Sequence, residues 1–423
     1  MKKVLIITYY WPPAGGPGVQ RWLKFVKYLP EFDVEPIVYI PENPHYPIQD
    51  TSLMAEIPQG VPIYKYKIFE PYRLAGLLSS KKTKRISSGI IKTKDPSVLE
   101  KAMLWIRGNF FIPDARKFWV GPSVKFLSEL IVKEQIETII TTGPPHSVHL
   151  IGQQLKEKHN VKWVTDFRDP WTSIGYHKKL RLSAVSQKKH KKLERSVLNA
   201  ADQLIVTSET TKKEFEQITN KPIAVITNGY DTGFKGKVDI DKSFTIAHVG
   251  SLLTGRNPEN LWRALSQLAS ENAVFRNELQ LDFLGVVSQD VMESLNRYEL
   301  MPYVKLKGYV SHAQAVRRQQ GAQVLLLVEI DSEETAGIIP GKIFEYMAAK
   351  RPILAIGPKN WEVRNLINET QTGEVFDYKS TTQLKNVLLD WFKAYKKGAL
   401  TVNSKNIEKY SRKELTRKLA QNL

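Results

Sequence analysis

Cysteine is absent from this 423-residue chain, which removes disulfides, thiolate nucleophiles and cysteine-ligated zinc together. Also missing is any run approaching the ~20 apolar residues that span a bilayer. The opening apolar run, Val4 to Ile7, is too short for a signal-peptide core and leads into a glycine-rich turn. Cytoplasmic synthesis without a spanning helix is therefore the default expectation, at the inner face of the plasma membrane if the chain docks there. No zinc finger, KH loop or RNP-type aromatic strand occurs, so nucleic acid is not an expected partner.

What is present points to a globular protein, with 42% apolar and 25% charged residues. The length suits two domains of about 200 residues each. The net charge of +19 is uneven: residues 1–240 hold 37 Lys/Arg against 23 Asp/Glu, and the remainder 25 against 20. The asymmetry fits an anionic partner for the first half, or solubility alone.

Both halves alternate short apolar runs with longer helical patterns, the signature of an α/β sheet. In the first half, strands are expected at Val4 to Thr8, Glu35 to Ile40, Ile139 to Thr142, Lys162 to Thr165 and Gln203 to Thr207. The runs lack strict alternation, which suits parallel sheets covered on both faces. The grammar restarts at Phe244, with strands expected at Phe244 to Val249, Leu279 to Leu284, Ala322 to Leu327 and Pro352 to Ile356. Residues 228–243 are polar and hold three glycines, as a linker would. Two doubly wound sheets joined this way would leave a cleft, with ligands at the carboxyl ends of the strands.

From Pro71 to Lys125 the rhythm breaks. KKTKR at 81–85 and KAMLWIRGNFFIPDARKFW at 101–119 set aromatics beside cations. Trp105, Phe110 and Phe111 are candidates for membrane contact, with Phe118 and Trp119 in the same dense stretch. Covering the N-terminal core is the alternative for all of them.

The candidate chemistry lies at expected strand ends. In YYWPPAGGPGVQR, Gly15 and Gly16 let backbone approach a ligand ahead of a helix, or simply turn the chain. The loop is neither a GxGxxG fingerprint nor a Walker loop. TTGPPHSVHL delivers His146 and His149 onto one helical face, for substrate contact or packing; without HExxH they are not expected to bind metal. VTDFRDPW supplies Asp166, Arg168, Asp169 and Trp171 at a strand end, where the charges either meet a polar ligand or pair internally. In HVGSLLTGRNPENL, Gly250 and Gly255 bracket a turn and Arg256 can neutralise a diphosphate. In EETAGIIPGKIFEYMAAKRPILAIG, a loop with Gly337, Pro340 and Gly341 brings Lys342 toward phosphate. Glu345 sits one turn on, where it can accept ribose hydroxyls or serve as an ordinary early-turn acid.

The order and spacing of YYWPPAGGPGVQR, PDARKFW, TTGPPHSVHL, DFRDPW, HVGSL with RNP, GYVSH and PGKIFEYMAAKRPILAIG resemble glycosyltransferase family 4, and within it bacterial members that assemble surface polysaccharides such as lipopolysaccharide and capsule. The resemblance implies the GT-B fold. It also implies retention of anomeric configuration, a nucleoside-diphosphate-sugar donor, no required metal or other cofactor, and a lipid-linked or oligosaccharide acceptor. Residues 1–235, completed by 404–423, would bind acceptor; residues 240–403 would bind donor. The catalytic candidates are Arg256, Lys342, His146 and Asp169. Donor contacts fall to Gly15, Gly16, Gly250, Gly337, Gly341 and Glu345, and acceptor contacts to Asp166, Arg168, His149 and Trp171. The family's paired glutamates have seven residues between them. Glu345 matches the second, on ribose, and Gly337 stands in place of the first, so the usual sugar-side carboxylate is missing. Ser251 likewise occupies a position where arginine is common. A nucleotide-sugar epimerase and an inactive polysaccharide- or membrane-binding scaffold are the alternatives.

Overall fold

The computed structural model describes residues 1–70, 98–231 and 238–423. The basic run 81–85 lies outside the described residues. The chain divides into two compact units, Met1–Asn228 with Arg412–Leu423, and Gly229–Ser411.

The first unit is built on seven parallel strands: β1 (Lys2–Thr8), β2 (Val34–Pro41), β3 (Ile63–Tyr66), β4 (Thr138–Gly143), β5 (Lys162–Phe167), β6 (Gln203–Val206) and β7 (Ile223–Val225). Their order is β3-β2-β1-β4-β5-β6-β7. Val4 to Thr8 of β1 and all six residues of β4 are buried, because helices cover both faces. The order reverses between β1 and β4, and ligands in such sheets bind beyond the strand ends at that switch. The helix Pro17–Tyr28 follows β1. Pro17 occupies its first turn and Gly16, at φ +106°, makes the entry turn. It buries Val19, Trp22, Leu23, Phe25 and Val26, and Arg21 with them.

The second unit has six parallel strands: β8 (Phe244–Val249), β9 (Leu279–Leu284), β10 (Val304–Gly308), β11 (Val324–Val328), β12 (Ile353–Ile356) and β13 (Gly373–Phe376), ordered β10-β9-β8-β11-β12-β13. Its period of two is visible in the core. Phe244, Ile246, Leu326, Val328, Leu354 and Ile356 pack into one cluster. The intervening Ala247, Leu325, Leu327, Ile353 and Ala355 pack into another. The switch here lies between β8 and β11. Both sheets are Rossmann-like in their strand order.

The C-terminal segment 404–423 is divided between the two cores. Ile407 and Tyr410 join the core of the second unit. Leu415, Leu419 and Leu423, on and after the helix Arg412–Ala420, join that of the first. The aromatics of 101–119 also separate: Trp119 is buried and stacked on Tyr39, with ring centroids 5.1 Å apart. Trp105, Phe110 and Phe118 are exposed, and Phe111 is half-buried. Among the described residues no helix is long and apolar enough to cross a membrane.

Candidate functional site

In the second unit, the ends of β8 and β11 and the start of the helix Lys342–Ala348 gather a charged cluster. Glu329, one residue past β11, is 1% exposed. It grips Arg256 through Nε to Oε1 at 3.0 Å and Nη2 to Oε1 and Oε2 at 2.8 and 3.1 Å. This planar fork fixes the arginine's direction as well as its charge. Lys342 lies over Gly250, whose absent side chain makes room: a Cβ there would sit 2.8 Å from Nζ. The Lys342 ammonium also approaches Nε2 of His248 at 3.4 Å, while His248 Nδ1 meets the Leu326 carbonyl at 2.9 Å. A neutral imidazole donating from Nδ1 leaves its Nε2 lone pair for the lysine. Burial, then the neighbouring Lys342 charge, holds His248 well below the ordinary histidine range, which keeps it in that form. Burial first, with Arg256 adding to it, pulls Lys342 down to about 8. Tyr346 ties this helix to β8 by accepting from Val249 N at 2.9 Å.

Glu345 lies one turn further along. Its Oε2 accepts from Gln319 Nε2 at 2.9 Å and its Oε1 faces His312 Nε2 at 3.3 Å. Gly285, at φ +119°, completes the strand ends: a Cβ there would lie 2.7 Å from the Gly250 carbonyl carbon. Gly341 caps the helix start. Gly337 sits half-buried in the preceding loop, whose path is pinned by Trp361 Nε1 donating to Ile338 O at 2.7 Å.

In the first unit a cavity of about 290 Å³ opens among Tyr10, Arg107, Phe111, Asp114, His146 and Asp169, with Arg116, Trp171 and His177 also on its wall. His146 is 5% exposed and stacks on Trp171, centroids 4.9 Å apart and planes within 3°. Among the described residues neither of its ring nitrogens has a hydrogen-bond partner. Burial, then His149, keeps it well below the ordinary histidine range, so it is neutral and can accept or donate one hydrogen bond. Burial raises the Asp169 carboxyl, and Arg168 opposes that rise. Asp114 caps the helix Ser147–His159 by accepting from Ser147 N and Oγ at 2.9 and 2.8 Å. Arg116 pairs with buried Glu70 at 3.2 Å.

A family model described as Glycosyltransferase Family 4 matches residues 18–234. The chain belongs to that family. A search of curated protein sequences found no match. Among solved structures, Anabaena HepE in complex with UDP is similar at 14% identity and a TM-score of 0.60, covering 100% of this chain and 95% of that one. TarM is similar at 12% identity and 0.61, covering 100% and 98%. WaaG, a glycosyltransferase involved in lipopolysaccharide biosynthesis, is similar at 12% identity and 0.51, covering 99% and 95%. These likenesses speak for the GT-B fold.

Within this glycosyltransferase two expected acceptor contacts are corrected. Asp166 is fully buried, and its carboxylate accepts from Arg21 Nη2 at 2.9 Å, Trp22 Nε1 at 2.7 Å and Thr142 Oγ1 at 2.8 Å. An acid so occupied joins helix to sheet and does not face a ligand. His149 is also fully buried, with Nδ1 2.9 Å from Thr141 Oγ1 and its ring stacked on Phe167. It packs the sheet, and burial draws it down to about 3.

Arg168 does not pair with Asp166. Its Nε donates to Gly143 O at 3.1 Å, Nη2 donates to Pro144 O, and its head lies where a Cβ of Gly18 would be, 1.6 Å from Nη1. Gly15 packs against Ile48 and Asp50, while Gly16 has open space around it. The structure thus groups Arg256, Lys342, Gly250, Gly341 and Glu345 in one unit. His146, Asp169, Trp171 and Phe111 line the cavity of the other.

Sequence reasoning missed Glu329, His248, His312, Gln319, Arg21 and Arg116. Glu329 had a signal, an acid directly after the buried run VLLLV. Arg21 had one too, as a cation on the buried face of its helix.

Proposed function

We propose that the chain is a retaining glycosyltransferase that moves a sugar from a nucleoside-diphosphate sugar to a saccharide or lipid-linked acceptor in cell-surface polysaccharide biosynthesis. The observation that carries this is the cluster at the second sheet's switch point. There Lys342, seated over Gly250, stands one helical turn before the ribose candidate Glu345, and Arg256, aimed by Glu329, lies close enough to depress the lysine's charge. The UDP bound in the HepE structure supports a nucleoside diphosphate as the leaving group.

In this reading the acceptor hydroxyl attacks the anomeric carbon on the face from which the diphosphate departs. The bond from that carbon to the diphosphate oxygen breaks, the bond to the acceptor oxygen forms, and the hydroxyl proton passes to the departing phosphate. Arg256 and Lys342 supply the counter-charge, in place of a metal ion. Losing one such donor costs about 3 kcal/mol in the transition state, roughly a hundredfold in rate. With Gly337 in place of a carboxylate, sugar selection falls to other groups. The first unit's cavity takes the acceptor, with His146 and Asp169 as hydroxyl partners. Exposed Trp105 and Phe110 rest at the inner face of an anionic membrane.

A thermal-shift panel of nucleosides, nucleoside mono- and diphosphates and their sugars tests the donor class. The expected result is stabilisation by one or more nucleoside diphosphates and their sugars, with the matching nucleoside inert. A panel in which no diphosphate raises the midpoint would sink the reading.

A further inference from the structure

We infer that Gln319 is a positioning residue of the donor site: from a neighbouring helix it sets the direction of the Glu345 carboxylate, and so makes the site distinguish ribose from 2′-deoxyribose in the nucleoside diphosphate. The inference rests on the assignment of Glu345 to the donor's ribose.

Gln319 belongs to the helix His312–Gly321, which packs beside the helix Lys342–Ala348 that carries Glu345. Ala315 and Gln319, one turn apart, are both turned inward, and Gln319 is 1% exposed. A buried amide is costly unless it is hydrogen-bonded, and a leucine would fill the position at no polar cost. Among the described residues the Gln319 side chain makes one hydrogen bond, from Nε2 to Glu345 Oε2 at 2.9 Å. The amide's place on this inward face is accounted for by Glu345.

The other carboxylate oxygen is met from the same helix. His312, two turns before Gln319 and on the same face, brings Nε2 to 3.3 Å from Glu345 Oε1. Contacts on both oxygens fix the plane of the carboxylate as well as its position. The helix that supplies them is itself fixed. Ser311 caps it in a reciprocal box, its Oγ accepting from Gln314 N at 3.3 Å and its own N donating to Gln314 Oε1 at 3.0 Å, so the first turn starts at His312. Arg318, beside Gln319 in sequence, sets its Nε 2.8 Å from Oδ2 of Asp282, which is fully buried on β9. One residue thus registers the helix against the sheet, and the next reaches across to Glu345.

The consequence is one of preorganisation. A glutamate free to rotate gives up its rotamers on meeting a ribose, which costs about two- to tenfold in affinity. A glutamate already held pays little of that, and presents its two oxygens at a set angle to the two vicinal hydroxyls. A sugar without the 2′-hydroxyl offers only one of the two contacts and gains less from the carboxylate's being held. Gln319 therefore acts on the difference between the two sugars and not only on the strength of binding.

Calorimetric titration of the full chain tests this with UDP, GDP, ADP and CDP, each beside its 2′-deoxy counterpart. For the base that binds most tightly, the ribonucleotide is expected to bind at least about tenfold more tightly than the deoxyribonucleotide. Gln319→Leu should weaken the ribonucleotide by about three- to tenfold and the deoxyribonucleotide by less, so that their ratio falls. His312→Ala, at a half-exposed side chain, should lower the ratio by a smaller factor. Both probes titrate the same folded molecules, so partial unfolding of a variant leaves the ratio where it was. Glu345→Ala should bring the ratio close to one, and Gln319→Leu added to it should change the ratio no further. A wild-type ratio kept by both Gln319→Leu and His312→Ala, while Glu345→Ala abolishes it, would overturn the inference and leave the ribose assignment standing. A ratio near one in the wild-type chain, or one that survives Glu345→Ala, would overturn the inference and the ribose assignment together. Absence of binding by every one of these nucleotides would overturn the donor-site reading along with both.

Discussion

At Asp166, burial and charge oppose each other: burial favours the neutral acid, yet Arg21, Thr142 and Arg168 hold the carboxyl below its usual range. Both partners of the Arg21–Asp166 pair are almost fully buried, so removing one leaves the other's charge stranded. Arg21→Met should destabilise the first unit by about 3–5 kcal/mol, and adding Asp166→Asn should restore part of it. Urea denaturation checks both; an unchanged midpoint in Arg21→Met would remove the pair from the account. The acid limb has a defined sign. A carboxyl depressed in the folded state stabilises above its unfolded value of about 4 and loses that contribution as pH falls through the folded value. Lys342 gives the residue-scale prediction for the donor site. With its ammonium drawn down to about 8, affinity for a nucleoside diphosphate should be full below that pH. It should fall by up to tenfold per unit above it, as the lysine loses its charge. Lys342→Arg should flatten this dependence between pH 7 and 10, and an equal slope in the variant would assign the proton elsewhere.

At the scale of elements, the site is made by strand ends that approach more closely than side chains permit. Gly285 and Gly16 both hold positive φ, but only Gly285 also meets backbone, the Gly250 carbonyl group, where a Cβ would be. Gly285→Ala should therefore destabilise by more than Gly16→Ala, which carries only the conformational strain of about 1–3 kcal/mol. It should weaken nucleotide binding as well, because Gly250 is the floor beneath Lys342. Denaturation midpoints and nucleotide titrations of the two variants check the order; equal losses would contradict it. The elements were legible where burial is two-sided. β1, β8 and β12 are mostly apolar and buried, and their expected places hold to within two residues. β3, β7, β10 and β13 went unread because they are short or partly exposed; β10, VKLKG, is exposed along most of its length. A sheet edge needs no continuous apolar run.

Across the whole molecule, the motifs identified which strand ends carry chemistry but not which charges meet. Asp166 and Arg168 are two apart in sequence, and Asp166 nevertheless chose Arg21, 145 positions away. His146 precedes the helix that carries His149, yet one lines a cavity and the other fills the sheet, a difference of less than one helical turn. Glu329 escaped notice because its role exists only once Arg256 is folded against it. The division of labour between the units is the central claim, and titration of the full chain with the nucleoside diphosphate that stabilises it most tests that claim directly. The account predicts that Glu345→Ala and Lys342→Ala each weaken binding by about tenfold or more, while Asp169→Asn in the first unit leaves it unchanged. Full affinity in both second-unit variants, or an equal loss in Asp169→Asn, would contradict it.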